Sequence, residues 1–503
     1  MSATSKLKIK GVRKATRTIS GVTPVAVMAE PRGCPGRCVF CPTQAGAPKS
    51  YTVESPAVAR ARSCDFDPRR QVEMRIKMLQ DMGHPADKIE LIVMGGTFLA
   101  YPLDYQYDFI RGCFEGLNGA SASSLAEAKE QNEIAPHRCV GMCIETRPDW
   151  CGIEEIQRML EFGTTRVELG VQTLDEEILE LVRRGHGVRE VVEATKLLRD
   201  YGFKVYYHWM PGLPGSNPQK DLELFEKIFS DERFRPDGLK IYPTEVVEGS
   251  ELERWYREGR YEPYPLEVLE KVLIEMKLMV PKYVRIARVT RDIPAKFIIA
   301  GCRDDLPRNV LLRRMRERGL ECKCIRCREY GHRMRDGWEV GEPKLVRFDY
   351  AASGGREIFL SFEDENETLF ALLRLRIQDF DPVKGRRGEI VGMIRELHVY
   401  GPEVPLGGEI PVEPAAQHKG LGRMLLAEAE RIAKEEFGAR RILVLSGVGV
   451  RRYYYNLGYR YCGPYMMKEL SEEGIEGEER SEQIRSPQGQ DKEGFGNQPL
   501  SLR

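Results

Sequence analysis

The sequence predicts two folded units of different class: an α/β partial (β/α) barrel over about residues 21–300 and an α+β domain over 344–470. Two patterns carry this. As far as residue 300, amphipathic stretches alternate with short Val/Ile-rich runs ending in Gly or Pro, as parallel strands with right-handed helical crossovers require. Beyond 344 the runs follow one another as consecutive strands, then give way to one long helix. A chain of 503 residues is long enough for two or three such cores.

In order along the first unit, strands are expected at Ile89–Gly95, Cys139–Glu145, Arg166–Gln172, Phe203–His208 and Gly238–Pro243. Helices are expected at Glu154–Phe162, Glu176–Arg184, Val188–Tyr201 and Gln219–Phe229. Five or six units of this kind make an open or partial barrel, whose ligand chemistry collects at the carboxyl ends of the strands. Residues 301–343 are rich in Arg and Cys and read as a connector. The second unit then shows strands at Lys344–Tyr350, Glu357–Glu363, Thr368–Ile377 and Glu389–Tyr400, a helix at Leu421–Phe437 and a strand at Arg441–Ser446. Residues 471–503 are acidic and poor in apolar side chains, the composition of a disordered tail.

Charge balances globally, with 77 basic and 77 acidic residues, but not locally. Residues 1–20 carry Lys6, Lys8, Lys10, Arg13, Lys14 and Arg17 and no acid; a second basic stretch runs from Arg303 to Arg335. Each could be a solvated face; together they suit a polyanionic partner. No run has the length or apolarity of a membrane span or a signal peptide, and thirteen cysteines without export signals place the chain in a reducing cytoplasm, where clustered cysteines bind metal.

Cys34, Cys38 and Cys41 form a C-x3-C-x2-C loop flanked by Gly and Pro. Three thiolates can hold a cubane iron–sulfur cluster while leaving one iron open to an exogenous ligand; the plainer alternatives are a structural zinc loop or buried free cysteines. Gly95, Gly96 and Thr97 close the next apolar run, where they could accept a ligand ammonium or simply turn the chain. Glu145 and Gln172 stand at later strand ends, equally able to bind a ligand or to satisfy the strand end. Cys322, Cys324 and Cys327 form a C-x-C-x2-C set that suits zinc, with Cys302 or His332 as candidate fourth ligand. Gln417, Gly420, Leu421, Gly422 and Arg423 lead into a helix whose N-terminus would favour a pyrophosphate, with the strand Leu397–Gly401 upstream and Tyr453-Tyr454-Tyr455 downstream.

The cysteine loop resembles the signature of radical S-adenosylmethionine (SAM) enzymes, and the Gln417–Arg423 loop resembles the coenzyme A loop of Gcn5-related N-acetyltransferases. Both modules in this order resemble the Elongator protein three family over roughly residues 20–470, through phrases such as Val93–Phe98, Glu145-Thr-Arg-Pro-Asp149, Gly238–Pro243, Arg291–Pro294, Glu428–Glu436, Ser446–Val450 and Gly463-Pro-Tyr465.

The resemblance implies a radical-SAM partial barrel followed by an acetyltransferase-like domain, and carboxymethylation of carbon-5 of the wobble uridine of tRNA. It implies a [4Fe-4S] cluster on Cys34, Cys38 and Cys41 that cleaves SAM to a radical. That radical takes hydrogen from the methyl group of acetyl-CoA; the carbon adds to uracil, and the thioester is hydrolysed. By carry-over, Gly95, Gly96, Thr97, Glu145 and Gln172 would serve SAM. Lys88, His398, Val399, Tyr400, Gly401, Gln417, Gly420, Leu421, Gly422, Arg423, Tyr453 and Tyr454 would serve acetyl-CoA, with Lys88, Lys240 and Tyr454 nearest the chemistry. Partners would be the tRNA anticodon stem-loop, met through phosphate contacts of the basic N-terminus and connector; a homodimer or accessory subunits are equally compatible with the sequence. The cysteine loop is shorter than in eukaryotic relatives, which separates its loop contacts from theirs. The alternatives are a protein lysine acetyltransferase with a structural iron–sulfur cluster, for which no general base stands out, and a non-catalytic tRNA-binding scaffold.

Overall fold

The computed structural model describes residues 18–303, 305–401 and 420–470. Most of the expected basic N-terminal segment, Gln417 and the expected tail 471–503 fall outside them. The first sheet contains β1 Thr23–Met28, β2 Lys88–Met94, β3 Arg138–Thr146, β4 Arg166–Gln172, β5 Lys204–Trp209 and β6 Gly238–Ile241. A short β7, Val246–Val247, intervenes before β8, Arg285–Val289, closes the set; β7 pairs separately with β9, Ile298–Ala300. The seven main strands lie in the order β1-β2-β3-β4-β5-β6-β8 and every pairing is parallel, the expected half-barrel. Two of them, β1 and β8, are additional to the runs read from sequence; Arg285-Ile-Ala-Arg-Val289 hides its strand character behind two arginines.

Side-chain alternation divides this sheet into two unlike faces. Ile89, Leu91, Val93, Val167, Leu169, Val171, Val205, Tyr207, Trp209, Leu239 and Ile241 are all buried in the main apolar core. The intervening positions hold the sheet's charged and titratable side chains: Glu90 on β2, Arg166 and Glu168 on β4, Lys204 and His208 on β5, Lys240 on β6. Parallel sheets usually bury apolar side chains on both faces; here one face is an ionic lumen. The crossover helices are capped by local chemistry, as at Pro218–Ser230, where Asn217 accepts from the Lys220 amide and Pro218 sits at the first helical position. The helix expected to reach Arg184 stops at Leu181, because Arg183 takes a left-handed φ of 54° and turns the chain back.

The second sheet comprises β10 Lys344–Ala352, β11 Gly355–Glu363, β12 Leu369–Asp381, β13 Arg386–Val399, β14 Arg441–Val444, β15 Arg460–Cys462 and β16 Tyr465–Glu469. Its order is β10-β11-β12-β13-β14-β16-β15, antiparallel except between β13 and β14. That parallel pairing covers only Gly392–Ile394 against Ile442–Val444, after which the two strands part. The helix expected over Leu421–Phe437 is α-helical to Arg431 and ends in a π turn, Ile432–Glu436.

The second sheet closes the amino end of the half-barrel. Gly447 and Gly449 lie against the start of β3; a Cβ on Gly447 would stand 2.2 Å from the Val140 carbonyl oxygen and one on Gly449 2.5 Å from the Arg138 Cβ, so only glycine permits this approach. Beside it runs a buried ionic seam: Arg199, Asp200 and Asp237 of the barrel meet Glu357, Arg376 and Arg395 of the second sheet, each 6% exposed or less. Three cations face three anions, so the seam is locally neutral.

Candidate active site

Two cavities occupy opposite ends of the lumen. The first lies at the carboxyl ends of the strands and is lined by Cys34, Cys38, Cys41, Gly96, Thr97, Glu145, Gln172 and Lys240, together with Tyr51, Arg147, Arg184, His208, Met210 and Tyr242. The cysteine loop, the β2 turn and the tips of β3, β4 and β6 therefore converge as the sequence suggested. Gly95 and Gly96 adopt φ of +127° and +55°, and Gly95 packs on Ala29, where a Cβ would come within 3.1 Å. Gly95 itself does not line the cavity. Thr97 Oγ1 lies 3.5 Å from Cys34 Sγ. The Cys38 thiol is lowered to about 5, chiefly by hydrogen bonding from the neighbouring Cys41 thiol and then by Arg184 and Arg147 against the penalty of burial; Cys41 is raised in turn. The thiolate is the form that ligates iron.

The second cavity lies at the amino ends and is lined by Lys88 and Glu90 of β2, Val140 and Gly141 of β3, Lys204 of β5, Leu397, His398 and Val399 of β13, and Gly420, Gly422, Arg423, Tyr453 and Tyr454. The splay of β13 from β14 exposes the last residues of β13, and the helix Leu421–Arg431 opens beside it with Gly420 at φ 75°. Gly422 packs closely: a Cβ there would lie 3.1 Å from the Tyr453 hydroxyl, which would have to shift slightly. Tyr400, Gly401 and Leu421, expected with this group, do not line the cavity. Tyr400 is buried, stacked on His398 at 4.3 Å, with its hydroxyl 3.4 Å from Arg285; Leu421 belongs to the core. Tyr400 lies just past the end of β13 and is covered by His398 and Arg285, whereas Leu421 turns inward on the helix while Gly420 and Gly422 line the cavity. His398 is itself anchored through Nε2 to the Ser20 carbonyl at 2.7 Å. Gln417 lies outside the described residues.

An unbroken chain of charged side chains joins the two cavities. Glu90, on the amino-end cavity, pairs with Arg166; Arg166 Nε lies 3.3 Å from Glu168 Oε1; Glu168 Oε2 meets His208 Nε2 at 3.0 Å and also Lys240 Nζ. Lys240 Nζ donates to Glu145 Oε1 at 2.8 Å, and Tyr51 donates to Glu145 Oε2 at 2.9 Å, on the carboxyl-end cavity. Burial would raise Glu145 and Glu168, but Lys240 and His208, with Arg166 at Glu168, hold both below the usual carboxylate range; Lys240 is raised well above an ordinary lysine by the same pairs, against its own burial. Lys240 is thus an enclosed ammonium, not the solvent-facing strand lysine that sequence left open. Nothing in Arg166-Val-Glu-Leu-Gly-Val-Gln172 announces that Glu168 is the hub; the available signal was the alternation of polar with apolar residues, Arg166 and Glu168 on β4 and Lys204 and His208 on β5.

The connector cysteines also meet. Cys322, Cys324 and Cys327 bring their sulfurs within 4.8 Å of one another, the spacing a single ion needs. Neither suggested fourth ligand joins them: His332 Nε2 pairs with Glu329 at 3.0 Å, and Cys302 lies by the backbone of Asp305 and Leu306. Arg308 Nη2 stands instead 3.1 Å from Cys327 Sγ and 3.4 Å from Cys324 Sγ. Much of the connector's positive charge is spent inside the fold: Arg328 is fully buried on Glu363 and the carbonyls of Lys282, Lys323 and Glu367, and Arg333 is buried between Glu321 and Trp338. Arg313, Arg316, Arg318 and Arg335 remain exposed. Among the described residues, no helix is long and apolar enough to cross a membrane.

Comparison with known proteins agrees with this geometry. The radical SAM superfamily model matches residues 31–228, a Radical_SAM C-terminal domain 236–317 and the acetyltransferase (GNAT) family 328–459. The chain is 59% identical to a tRNA uridine(34) acetyltransferase of Dehalococcoides mccartyi, over 91% of this chain and 100% of that protein. It is 41% identical to human Elongator complex protein 3, over 92% of this chain and 86% of the relative. The solved structure of Methanocaldococcus infernus Elp3 lacking residues 1–46 superposes with a TM-score of 0.77 at 47% identity, covering 90% of this chain and all of that one. A radical SAM half-barrel closed at its amino end by a GNAT domain, at these identities over nearly the whole length, places the chain in the Elongator protein 3 family of tRNA uridine(34) acetyltransferases.

Proposed function

We propose that this enzyme carboxymethylates carbon-5 of the wobble uridine of tRNA, taking the two-carbon unit from acetyl-CoA. The observation that carries the reading is the placement of two cofactor-shaped cavities at opposite ends of one lumen, linked by the Glu90–Arg166–Glu168–Lys240–Glu145 chain.

The residues present fit the groups the family implies. Cys34, Cys38 and Cys41 line one wall beside two buried arginines; they would hold a [4Fe-4S] cluster. With SAM bound, that cluster supplies the one-electron chemistry that activates an otherwise inert methyl group. The glycine turn at Gly95-Gly96 and the side chains of Thr97, Glu145 and Gln172 would orient SAM, while Tyr51, Lys240 and Glu145 keep the adjoining wall polar and fixed. At the other end, the Gly420–Arg423 turn would present helix-end amides to a pyrophosphate, and the end of β13, beyond its pairing with β14, would lie along the pantetheine. Lys88, Lys204 and Arg423 supply positive charge there.

Among the described residues, Glu90 is the one carboxylate lining the acetyl-CoA cavity, and Arg166, Lys204 and Arg285 hold it below the ordinary range despite burial. A carboxylate held so low is a poor general base for a lysine acceptor, which disfavours the protein acetyltransferase alternative. Cys322, Cys324 and Cys327 would hold zinc, with Arg308 and the buried Lys277 offsetting the thiolate charge. The exposed connector arginines would meet tRNA phosphates.

The test is anaerobic reconstitution with SAM, reductant, acetyl-CoA and tRNA, followed by nucleoside mass spectrometry. Carboxymethyluridine should form and should require all four components. Product formation by Cys38→Ala at the parental rate would overturn the reading.

A further inference from the structure

We infer that Arg184, backed by Arg147, is a positioning residue for the iron–sulfur cluster: a fixed buried cation that makes the cluster easier to reduce. The inference rests on the cluster assignment above and goes beyond it. Both arginines are 5% exposed. Arg184 Nη1 stands 3.5 Å from Cys38 Sγ, and Arg147 Nη1 stands 4.0 Å from the same sulfur.

Their remaining donors are locked. Arg147 binds Asp149 through Nε at 2.9 Å and Nη2 at 2.7 Å, and its Nη2 also reaches the Arg184 carbonyl at 2.7 Å. Arg184 gives Nε and Nη2 to the Gly170 carbonyl, at 3.1 Å for Nε. The two cations differ in one respect. Arg147 is neutralised by Asp149, whereas among the described residues no carboxylate pairs with Arg184. A guanidinium cannot shed its proton in a protein, and a buried charge needs a counter-charge. For Arg184 the facing group is the Cys38 sulfur.

The backbone is shaped around these side chains. A Cβ on Gly36, inside the cysteine loop, would lie 2.1 Å from Arg147 Nη1; one on Gly170 would lie 2.5 Å from Arg184 Nη2; one on Gly185 would lie 3.0 Å from Arg147 Nη2. Three glycines from three separate segments leave the space these guanidiniums fill. The left-handed turn at Arg183 aims Arg184 back toward the loop. A cluster gains one negative charge on reduction, and its potential follows the charge and hydrogen bonding at its sulfurs. A hydrogen-bonding cation held on a ligand sulfur therefore favours the reduced form.

The experiment is a redox titration of the full-length, cluster-loaded protein without SAM, following the electron paramagnetic resonance signal of the reduced cluster. Arg184→Gln should keep the parental iron content but lower the reduced-to-oxidised ratio about tenfold at a fixed poise, a shift of about 59 mV to more negative potential for one electron. Arg184→Lys, which keeps the charge, should recover most of the shift. An Arg184→Gln potential equal to the parent's overturns the inference, as does an unchanged potential combined with weakened SAM binding, which would assign the arginine to SAM instead. If Arg184→Gln holds no cluster, Arg147→Gln carries the test: a smaller shift in the same direction supports the inference, and none overturns it. A parent protein that binds no reducible cluster would defeat the cluster assignment itself, a result distinct from an unshifted potential.

Discussion

Arg395 and Asp237, both fully buried, meet through two parallel hydrogen bonds of 2.7 and 2.8 Å across the junction between the second sheet and the barrel. The same arginine also reaches Glu357 and donates to the Phe203 carbonyl at 2.9 Å. Asp237 in turn accepts from the Val205 amide, at the start of β5. One ion pair thus ties β13 to the amino ends of β5 and β6, the rim on which the acetyl-CoA cavity is built.

Removing one partner leaves a charge stranded in the seam. Asp237→Asn should lower the stability to unfolding by about 3–5 kcal/mol, read from the denaturant midpoint with unchanged slope. The double variant Asp237→Asn, Arg395→Met should recover part of that loss. A midpoint that does not move in the single variant would show that the pair carries no net stability.

The seam also sets a pH dependence. Despite burial, Asp237, Glu357 and Glu396 are lowered in the folded protein by Arg395, Arg199, Arg376, Arg374 and Lys204, with Glu396 at about 2. In the unfolded chain these groups titrate near 4. The unfolded state then binds more protons as pH falls, so their contribution is complete above about pH 4 and drains away toward pH 2 and below. Burial lowers His186 to about 4 and lowers His398 as well, so the parent's total stability should already decline below about pH 6.5. The seam's own share, read as the difference between parent and Asp237→Asn at constant ionic strength, should be flat from pH 7 to 5 and fall steeply beneath about 4. A loss in that difference centred near pH 6 would point to histidine instead.

Lys240 connects the lumen to the carboxyl-end cavity. Lys240→Met leaves Glu145 and Glu168 buried without their shared ammonium, and should reduce modified-nucleoside formation by roughly 10²-fold or more. Acetyl-CoA affinity should stay at the parental value, because no wall of that cavity is altered. Equal losses in both measurements would mean that the substitution disturbs the barrel as a whole.

The connector cysteines sit where both units meet. The Ile325 amide donates to the Val284 carbonyl of the barrel, while Arg328 reaches Glu363 and the Glu367 carbonyl of the second sheet. On the proposal that these thiolates hold zinc, a chelator, or Cys324→Ser, should lower the melting temperature while the visible absorbance of the iron–sulfur cluster persists. Simultaneous loss of both signals would show that the two metal sites are not independent.

The legible part of this protein was its apolar periodicity and its glycines. Ile89, Leu91 and Val93 announced β2, and Gly420 with Gly422 announced the turn before the long helix, because each reflects a local requirement of strand or cap. Glu168 and Arg184 were not legible as members of the carboxyl-end site. Glu168 reads as a stray charge in a strand until β4, β5 and β6 lie side by side, and Arg184 reads as the end of a helix until Arg183 reverses the chain. Tyr400 and Leu421 were assigned to the acetyl-CoA site by phrase, yet each turns into the core one residue from a neighbour that does line the cavity. Contacts between segments distant in sequence carry the chemistry, and no local pattern records them.

The most direct test of the central claim is isotopic. With acetyl-CoA deuterated at the methyl group, the proposed reaction should place deuterium in 5′-deoxyadenosine and leave two deuterium atoms in the carboxymethyl group on the uridine, both measured by mass spectrometry in one tRNA-dependent incubation. Carboxymethyluridine accompanied by 5′-deoxyadenosine free of deuterium, or acetyl transfer to a lysine peptide without tRNA, would contradict it.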